Sequence, residues 1–374
     1  MRFALTLAVA AVIASTAPAV HARPSMSLDC RISLTLPSQT LNLSGCEFDS
    51  MNLRGVNFRG ARLVSASFIG ADLTGANFEG ARLSGAILSN ATLAGASFKN
   101  ALLTAATFAR ANLAGANFEQ SRLSKASFID AQLQNSNFTD ATANETNFTG
   151  GRLYGSTFLR AYLNGALFGG ADIRKASFRE ARLDSADLTS ALADGASFDS
   201  AVMTSADISD VSGVGASFVQ ADLRRADFFS SQLVDAVFTS ANMRRVNLDL
   251  TVLTRANFEN AKMRYASLVL TRADRATFSG ADLSYSSFLN AQMMGVRAAS
   301  AVLDYSLGSF AVWDNADLRG ASIRFVTWHE ANLLTADIRG ANFTRSSLLG
   351  SDLSTLPSSG GIFNQTVLPD GSVR

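Results

Sequence analysis

The sequence predicts an all-β protein built from short extended segments that alternate with tight turns. A large apolar residue returns every five positions from Leu43 to Leu353, and 57 of the 63 positions in this series are Leu, Phe, Ile, Met or Trp. A small residue stands two positions earlier, and between residues 61 and 351 it is alanine at 43 of 59 positions. No proline occurs between Pro37 and Pro357, as expected where backbone amides are needed for hydrogen bonds between segments.

The five-residue period fits neither regular secondary structure. On an α-helix five residues advance by about 500°, so the apolar residues would spiral around the surface. On a continuous strand an odd period would send alternate apolar residues to opposite faces. The conflict disappears if each pentapeptide is one extended piece followed by a turn. The small and the large residue then both point inward, and the other three residues face water.

Segments such as Ala71-Asp72-Leu73-Thr74-Gly75 and Ala316-Asp317-Leu318-Arg319-Gly320 resemble the A(D/N)LXX motif of the pentapeptide-repeat family. The resemblance covers residues 43–353 and implies a right-handed quadrilateral β-helix, in which four pentapeptides close a coil of about twenty residues. We expect about sixteen such coils over this range, stacked at ~4.8 Å. Because Leu and Phe alternate over long stretches, Phe would then stack on Phe and Leu on Leu.

The chain begins with the features of an export signal over residues 1–22. Met1-Arg2 precedes an apolar run from Phe3 to Ala14, and Val20-His21-Ala22 provides small residues before a cleavage site at Arg23. This run is too short to span a bilayer. We therefore expect an exported protein, periplasmic or extracellular, with no integral membrane segment in the mature chain.

Two further segments flank the repeats. Residues 23–42 are expected to cap one end and residues 354–374 to form a C-terminal cap or tail, in which Phe363 and Leu368 resume the five-residue phase. The register after Gly308 has an alternative, because Leu307 could take the inward place and shift the later residues by one position.

The two cysteines of the chain, Cys30 and Cys46, lie near the mature N-terminus. An export signal favours an oxidising compartment, where a disulfide between them is expected. In the alternative interpretation, Cys46 packs inward as a small apolar residue and Cys30 stays reduced.

The composition argues against several kinds of chemistry. The chain has 32 Lys and Arg against 31 Asp and Glu, so it does not have the basic surface of a nucleic-acid binder. His329 is the one histidine left after signal cleavage, which disfavours a catalytic triad and a metal cluster. We therefore expect no enzymatic activity, no metal site and no cofactor.

Large residues at outward positions indicate an interaction surface. Residues spaced by twenty place arginine and aromatic side chains on one corner of successive coils, and the next side carries further apolar residues. Such exposed apolar patches mark interaction sites, and Tyr, Phe and Arg are enriched at protein interfaces. The alternative is that these ladders are surface fillers that bind nothing. The residues of this predicted surface are Arg224, Arg225, Arg244, Arg245, Arg264, Tyr265, Tyr285, Tyr305, Phe325, Arg345, Phe229, Leu250, Val269, Leu270, Leu289 and Phe310.

The sequence therefore favours a non-enzymatic structural or protein-interaction scaffold, whose partner is another protein or a second copy of the chain. One alternative follows from the family resemblance, because some members imitate DNA with an acidic surface and inhibit or protect a nucleic-acid enzyme. The acidic segment from Asp184 to Asp210 suits that role, but the neutral mature charge and the export signal do not. A second alternative is glycan binding by the tyrosines.

Overall fold

The structure is a computed structural model that describes residues 41–354 and 360–374. The predicted signal peptide, nearly all of the expected N-terminal cap and Cys30 lie outside this range. The chain divides into two compact units, one ending at Arg182 and the other beginning at Leu183. No helix within the described ranges is long and apolar enough to cross a bilayer.

Both units repeat one five-residue conformation. We number its positions 1 to 5, with the small inward residue at position 1 and the large one at position 3. Position 2 forms isolated β-bridges to the coils on either side, and positions 4 and 5 form the turn. The bridges are parallel and join residues twenty apart, from Asn42↔Arg62 to Tyr162↔Arg182 in the first unit and from Asp187↔Asp207 to Ser347↔Val367 in the second. The predicted twenty-residue coil is therefore confirmed within each unit, while the count of about sixteen coils stays a prediction.

The backbone amides of a pentapeptide are satisfied almost completely. The amide of Leu43 donates to the carbonyl of Arg62 at 2.7 Å, Gly45 donates to Val64 at 2.9 Å, and Arg62 donates back to Leu41 at 2.8 Å. The amide of Cys46 closes the turn on the carbonyl of Leu43 at 3.2 Å. Four of the five amides are thus used by the backbone itself.

The fifth amide, at position 4, is served by a side chain. Asp72 Oδ1 accepts the amide of Thr74 at 3.1 Å, and Asn77 Oδ1 accepts that of Glu79 at 3.0 Å. Asp and Asn at position 2 are therefore Asx-type caps of the turn that follows. A proline at positions 1, 2, 3 or 5 would remove a backbone hydrogen bond, which explains the proline-free stretch.

Inward side chains form a dry core in each unit. Position 3 from Leu43 to Leu348 is exposed by at most 2% wherever it carries a side chain. Phenylalanines one coil apart stack face to face, as Phe108 and Phe128 do at 4.7 Å between ring centroids. Phenylalanines on opposite sides meet edge to face, as Phe108 and Phe118 do at 5.9 Å. Both geometries are favoured by aromatic quadrupoles.

The register continues unchanged through Gly308. Gly308 is buried at position 3, and Leu307 is 55% exposed at position 2, so the alternative register is wrong. A methyl group on Gly308 would lie 2.6 Å from Cδ1 and Nε1 of Trp328. The glycine therefore leaves room for the indole, which stacks on Trp313 with 5.0 Å between ring centroids.

Residues after the gap at 355–359 continue the same coil. Phe363 stacks on Phe343 at 5.1 Å, and the amide of Leu348 donates to the carbonyl of Val367 at 2.9 Å. The chain then turns, and Val367 and Val373 form an antiparallel bridge.

Candidate interaction surface

The turn residue at position 5 adopts the left-handed conformation in every repeat from Gly45 to Gly350, with φ near +60°. Most of these positions carry Gly, Ser, Asn, Asp or a charged residue. Large apolar side chains occur at this position between residues 250 and 325, and nowhere else in the described ranges. They are Leu250, Tyr265, Leu270, Tyr285, Tyr305, Phe310 and Phe325.

This placement costs conformational free energy. A side chain with a Cβ in the left-handed region is disfavoured by about 1 kcal/mol or more, whereas Gly and Asn tolerate it. Burial does not offset the cost, because Tyr285 is 41% exposed and Leu270 is 51% exposed. The sequence therefore places seven costly, solvent-facing apolar residues within a few coils of one unit.

Four of the seven residues form what we call the aromatic corner: Tyr265, Tyr285, Tyr305 and Phe325. Their rings stack in succession, with centroid separations of 4.9, 4.8 and 4.7 Å and interplanar angles of 17° or less. Each ring face is therefore covered by a neighbouring ring or, at the ends, approached by an arginine. The ring edges and the tyrosine hydroxyls are the parts that face solvent.

Arginines surround the first ring of this corner. The guanidinium carbons of Arg244, Arg245 and Arg264 lie 5.6, 5.8 and 5.8 Å from the centroid of Tyr265. Arg264 also lies 5.4 Å from the centroid of Tyr285. These distances are in the range of cation–π interactions.

The arginines differ in their acidic partners. Arg224 forms a bidentate ion pair with Asp222, two residues earlier, at 2.7 Å. Arg345 donates to Gln365 at 2.7 Å and approaches Phe325. Within the described ranges no ion pair involves the remaining arginines of the predicted surface. These are Arg225, Arg244, Arg245 and Arg264.

The apolar corner lies one coil side away and comprises Phe229, Leu250, Val269, Leu270, Leu289 and Phe310. All of these are exposed by 38% or more except Val269, which is partly buried. Residues 266–268 join the two corners in one coil and residues 286–288 in the next. The side between them carries Ser267 and Ser287 at its outward position, and then Leu307 and Thr327. The structure thus brings the predicted surface residues together on one side of the second unit and its two bounding corners.

Two features of this surface were not predicted. Leu307, the more exposed neighbour of Gly308, belongs to the surface and could have been found by stacking it on Ser287 and Thr327. Asp304 is only 5% exposed at a turn position, where it binds Arg324 at 2.5 Å and Ser322 Oγ at 2.7 Å. Burial acts to raise the pKa of Asp304, but the hydrogen bonds from Arg324 and Ser322 outweigh it and hold the pKa below its ordinary value of 3.8.

The aspartates of the acidic segment are used locally. Asp187, Asp207 and Asp227 stack on the side next to the arginines, yet they form no ion pair with them within the described part of the chain. Asp207 Oδ1 accepts the hydroxyl of Ser209 at 2.6 Å, and Asp227 Oδ1 accepts Asn247 Nδ2 at 2.9 Å. These contacts are turn and coil contacts and do not by themselves indicate a ligand.

The structure offers little for catalysis around His329. Its Nε2 lies 2.8 Å from Ser347 Oγ, and no ion pair joins the ring to a carboxylate among the residues that the structure describes. In the same residues, no group of three or more His, Cys, Asp or Glu could hold a metal ion.

Two family models match the sequence. The model described as a pentapeptide repeat region matches residues 41–118 and 91–168. The model described as pentapeptide repeats in eight copies matches residues 181–212, 231–268, 271–297 and 316–354. Together they cover more than half of the chain. No curated protein sequence matches.

Several solved structures resemble the chain. HetL, a pentapeptide repeat protein involved in heterocyst differentiation regulation in the cyanobacterium Nostoc sp. strain PCC 7120, is 22% identical over 65% of this chain and 92% of its own, with a TM-score of 0.36. A pentapeptide repeat protein of the Arabidopsis thaliana thylakoid lumen is 38% identical over 27% of this chain and 66% of its own, with a TM-score of 0.21. QnrB1, a plasmid-mediated fluoroquinolone resistance protein, is 20% identical over 55% of this chain and 88% of its own, with a TM-score of 0.32.

The twenty-residue coil, the Asp and Asn caps at position 2 and the two family models agree. The chain belongs to the pentapeptide-repeat family.

Proposed function

We propose that this protein is an exported, non-enzymatic scaffold that binds a partner protein through the aromatic corner, the apolar corner and the side between them. The observation that carries the proposal is the confinement of large apolar residues at the left-handed turn position to residues 250–325. Large apolar side chains that are exposed at one place on a protein mark interaction sites. The export signal, although it lies outside the described residues, supports a partner in the periplasm or outside the cell.

The geometry favours a protein over a glycan or an enzyme of nucleic acids. Sugars bind aromatic side chains by packing on ring faces. Both faces of Tyr285 and Tyr305 are covered by neighbouring rings, and Tyr265 is stacked on Tyr285 and approached by an arginine. DNA imitation requires an acidic surface, whereas this one is cationic at Arg244 and Arg264. Ring edges, tyrosine hydroxyls, guanidinium groups and aliphatic side chains together are the groups that protein interfaces use most.

The proposal is tested with the double variant Tyr285→Ser and Tyr305→Ser. Tagged mature protein is incubated with the periplasmic and extracellular fractions of its source cells, and bound proteins are identified by mass spectrometry. We expect the wild type to retain a specific protein, or a second copy of itself, and the double variant to lose most of it. Losing two interface tyrosines commonly costs at least tenfold in affinity.

A matched control uses the exposed tyrosines of the first unit, Tyr154 and Tyr162, which are 38% and 47% exposed. The variant Tyr154→Ser and Tyr162→Ser should bind like the wild type. Equal retention by all three proteins, or equal loss in both variants, would contradict the proposal.

A further inference from the structure

The arginines around Tyr265 form a cationic group that has no carboxylate partner among the residues that the structure describes. Three guanidinium carbons lie within 5.8 Å of one ring centroid, and the arginines are exposed. We propose that Arg244, Arg245 and Arg264 form an anion-binding site for an acidic segment of the partner polypeptide. This inference rests on the proposed function and names the chemistry of the partner.

Repulsion within the site is the first argument. Like charges at about 5 Å repel by roughly 1 kcal/mol in water-like surroundings, and by more where a partner excludes water. Ion pairing relieves this cost elsewhere in the protein, where Arg255 binds Asp235 at 2.6 Å and Arg319 binds Asp317 at 2.7 Å. The three arginines at Tyr265 instead pack on the ring and keep their N–H donors available. A bound carboxylate would offset the repulsion.

The hydrogen-bonding groups at the site are the second argument. Guanidinium groups only donate, and a stacked phenol presents its O–H and its electropositive ring edge to solvent. Asp227, in the column of the adjoining side, already accepts the amide of Phe229 and Asn247 Nδ2. The site is therefore complementary to a ligand whose hydrogen-bond acceptors carry negative charge.

The apolar corner decides the class of ligand. Val269 and Leu270 lie one coil side from Tyr265, and Leu289 lies one side from Tyr285. A polyanion without apolar groups, such as a nucleic acid or an acidic glycan, would leave this corner uncovered. A polypeptide that carries both carboxylates and apolar side chains covers both corners at once.

The test uses a fluorescein-labelled peptide of alternating Glu and Leu, about twelve residues long, which extends over some 40 Å. Binding to the full mature chain is measured by fluorescence anisotropy at low and at physiological salt. We expect measurable binding that weakens as salt rises, because exposed charges are screened. An alternating Glu and Ser peptide should bind more weakly, and an alternating Lys and Leu peptide should not bind.

The decisive variant is Arg244→Gln, Arg245→Gln and Arg264→Gln. It should weaken binding of the Glu and Leu peptide by about tenfold or more without lowering the thermal unfolding temperature. The control is Arg62→Gln, Arg82→Gln and Arg122→Gln, which removes the same charge from exposed arginines of the first unit that form no ion pair within the described residues. This control should bind within about twofold of the wild type.

Several outcomes would overturn the inference. They are no binding of the Glu and Leu peptide to the wild type, equal binding by both arginine variants, and preferential retention on vesicles of phosphatidylglycerol in place of the peptide. Failure of this inference is distinguishable from failure of the proposed function. If the triple arginine variant keeps the native partner while the tyrosine variant loses it, the inference of an acidic partner segment is wrong and the proposed function stands. If the tyrosine variant also keeps the partner, the proposed function is wrong.

Discussion

At the residue scale, each position of the pentapeptide answers to a specific backbone requirement. Asn and Asp at position 2 accept a hydrogen bond from the amide of position 4, the one amide that forms no backbone hydrogen bond between or within coils. Asn117 does this for Glu119 at 3.0 Å. Position 5 must tolerate positive φ, which favours Gly and Asn. Charged and polar side chains also occupy this position in many repeats, but large apolar ones occur only between Leu250 and Phe325 within the described ranges.

Leu270 provides a direct test of this cost. Leu270 has φ +57° and is 51% exposed. Replacing it with Asn should raise the free energy of unfolding by up to about 1 kcal/mol, because Asn tolerates the left-handed region. The reverse change at Asn100, with φ +58°, should lower it by a similar amount. Urea unfolding of both variants measures this; a loss of stability in Leu270→Asn would show that Leu270 contributes to the fold.

Asp304 gives the protein a pH-dependent contact. Because the folded-state pKa lies below 3.8, the stabilisation is present above that pH and is lost as the pH falls through the lower folded value. Asp304→Asn should cost about 1 kcal/mol at neutral pH, a figure kept small because Arg324 is half exposed. The difference from the wild type should shrink as the pH falls below 3.8 and vanish once the Asp304 carboxylate is protonated in the folded protein. Thermal unfolding between neutral and acid pH checks this, and a difference that persists in acid would contradict it.

Stacking by twenty residues predicted the columns in which these residues lie, because the coil length is constant within the unit. That they bind a partner stays a prediction. The burial of Asp304 could not be predicted in the same way. Its partners Ser322 and Arg324 lie 18 and 20 residues further on, and whether a turn side chain points outward or along the coil depends on its rotamer. The pairing of Arg224 with Asp222, two residues earlier, likewise depends on the rotamer of the turn side chain.

At the scale of a coil, position 3 must fill a fixed space. Trp328 and Trp313 need more room than Leu or Phe, and Gly308 provides it one coil before Trp328. This close fit leaves no room for a larger side chain at Gly308, because the indole ring is rigid and cannot rearrange within the packed core. The sequence showed the gap in the apolar series at Gly308 but not its cause, because the compensation crosses from one coil to the next.

A comparison of two inward glycines, Gly308 and Gly213, tests whether the contact with Trp328 or a general intolerance of added methyl groups limits position 3. Gly308→Ala would place Cβ 2.6 Å from Trp328, whereas Gly213→Ala would place it 3.0 Å from a methyl group of Leu233. Gly308→Ala should cost about 1–3 kcal/mol. Gly213→Ala should cost less, because a leucine side chain can rotate. Urea unfolding ranks the two, and the opposite order would contradict the proposed packing.

At the scale of the whole molecule, export and the disulfide remain predictions. Expression of the full sequence in a bacterium should yield a periplasmic or secreted product that begins at Arg23, as read by N-terminal sequencing. Cys46 is buried at position 1 of its pentapeptide, with 3% exposure, in the first described coil. Intact mass before and after reduction should show one disulfide with Cys30, and reduction should cost up to about 3 kcal/mol. A cytoplasmic product that retains residues 1–22 would contradict both predictions and would revive DNA imitation.

The bridges between residues twenty apart have a consequence for how this sequence can change in length. Inserting or deleting one residue shifts every later inward side chain by one position, and all of the turn caps with it. A segment of five keeps inside and outside correct but moves every later outward column by one side, which would separate the tyrosines from one another if the segment were inserted between them. A duplication of twenty preserves both, so we expect natural variation in length to occur in units of a full turn of the coil.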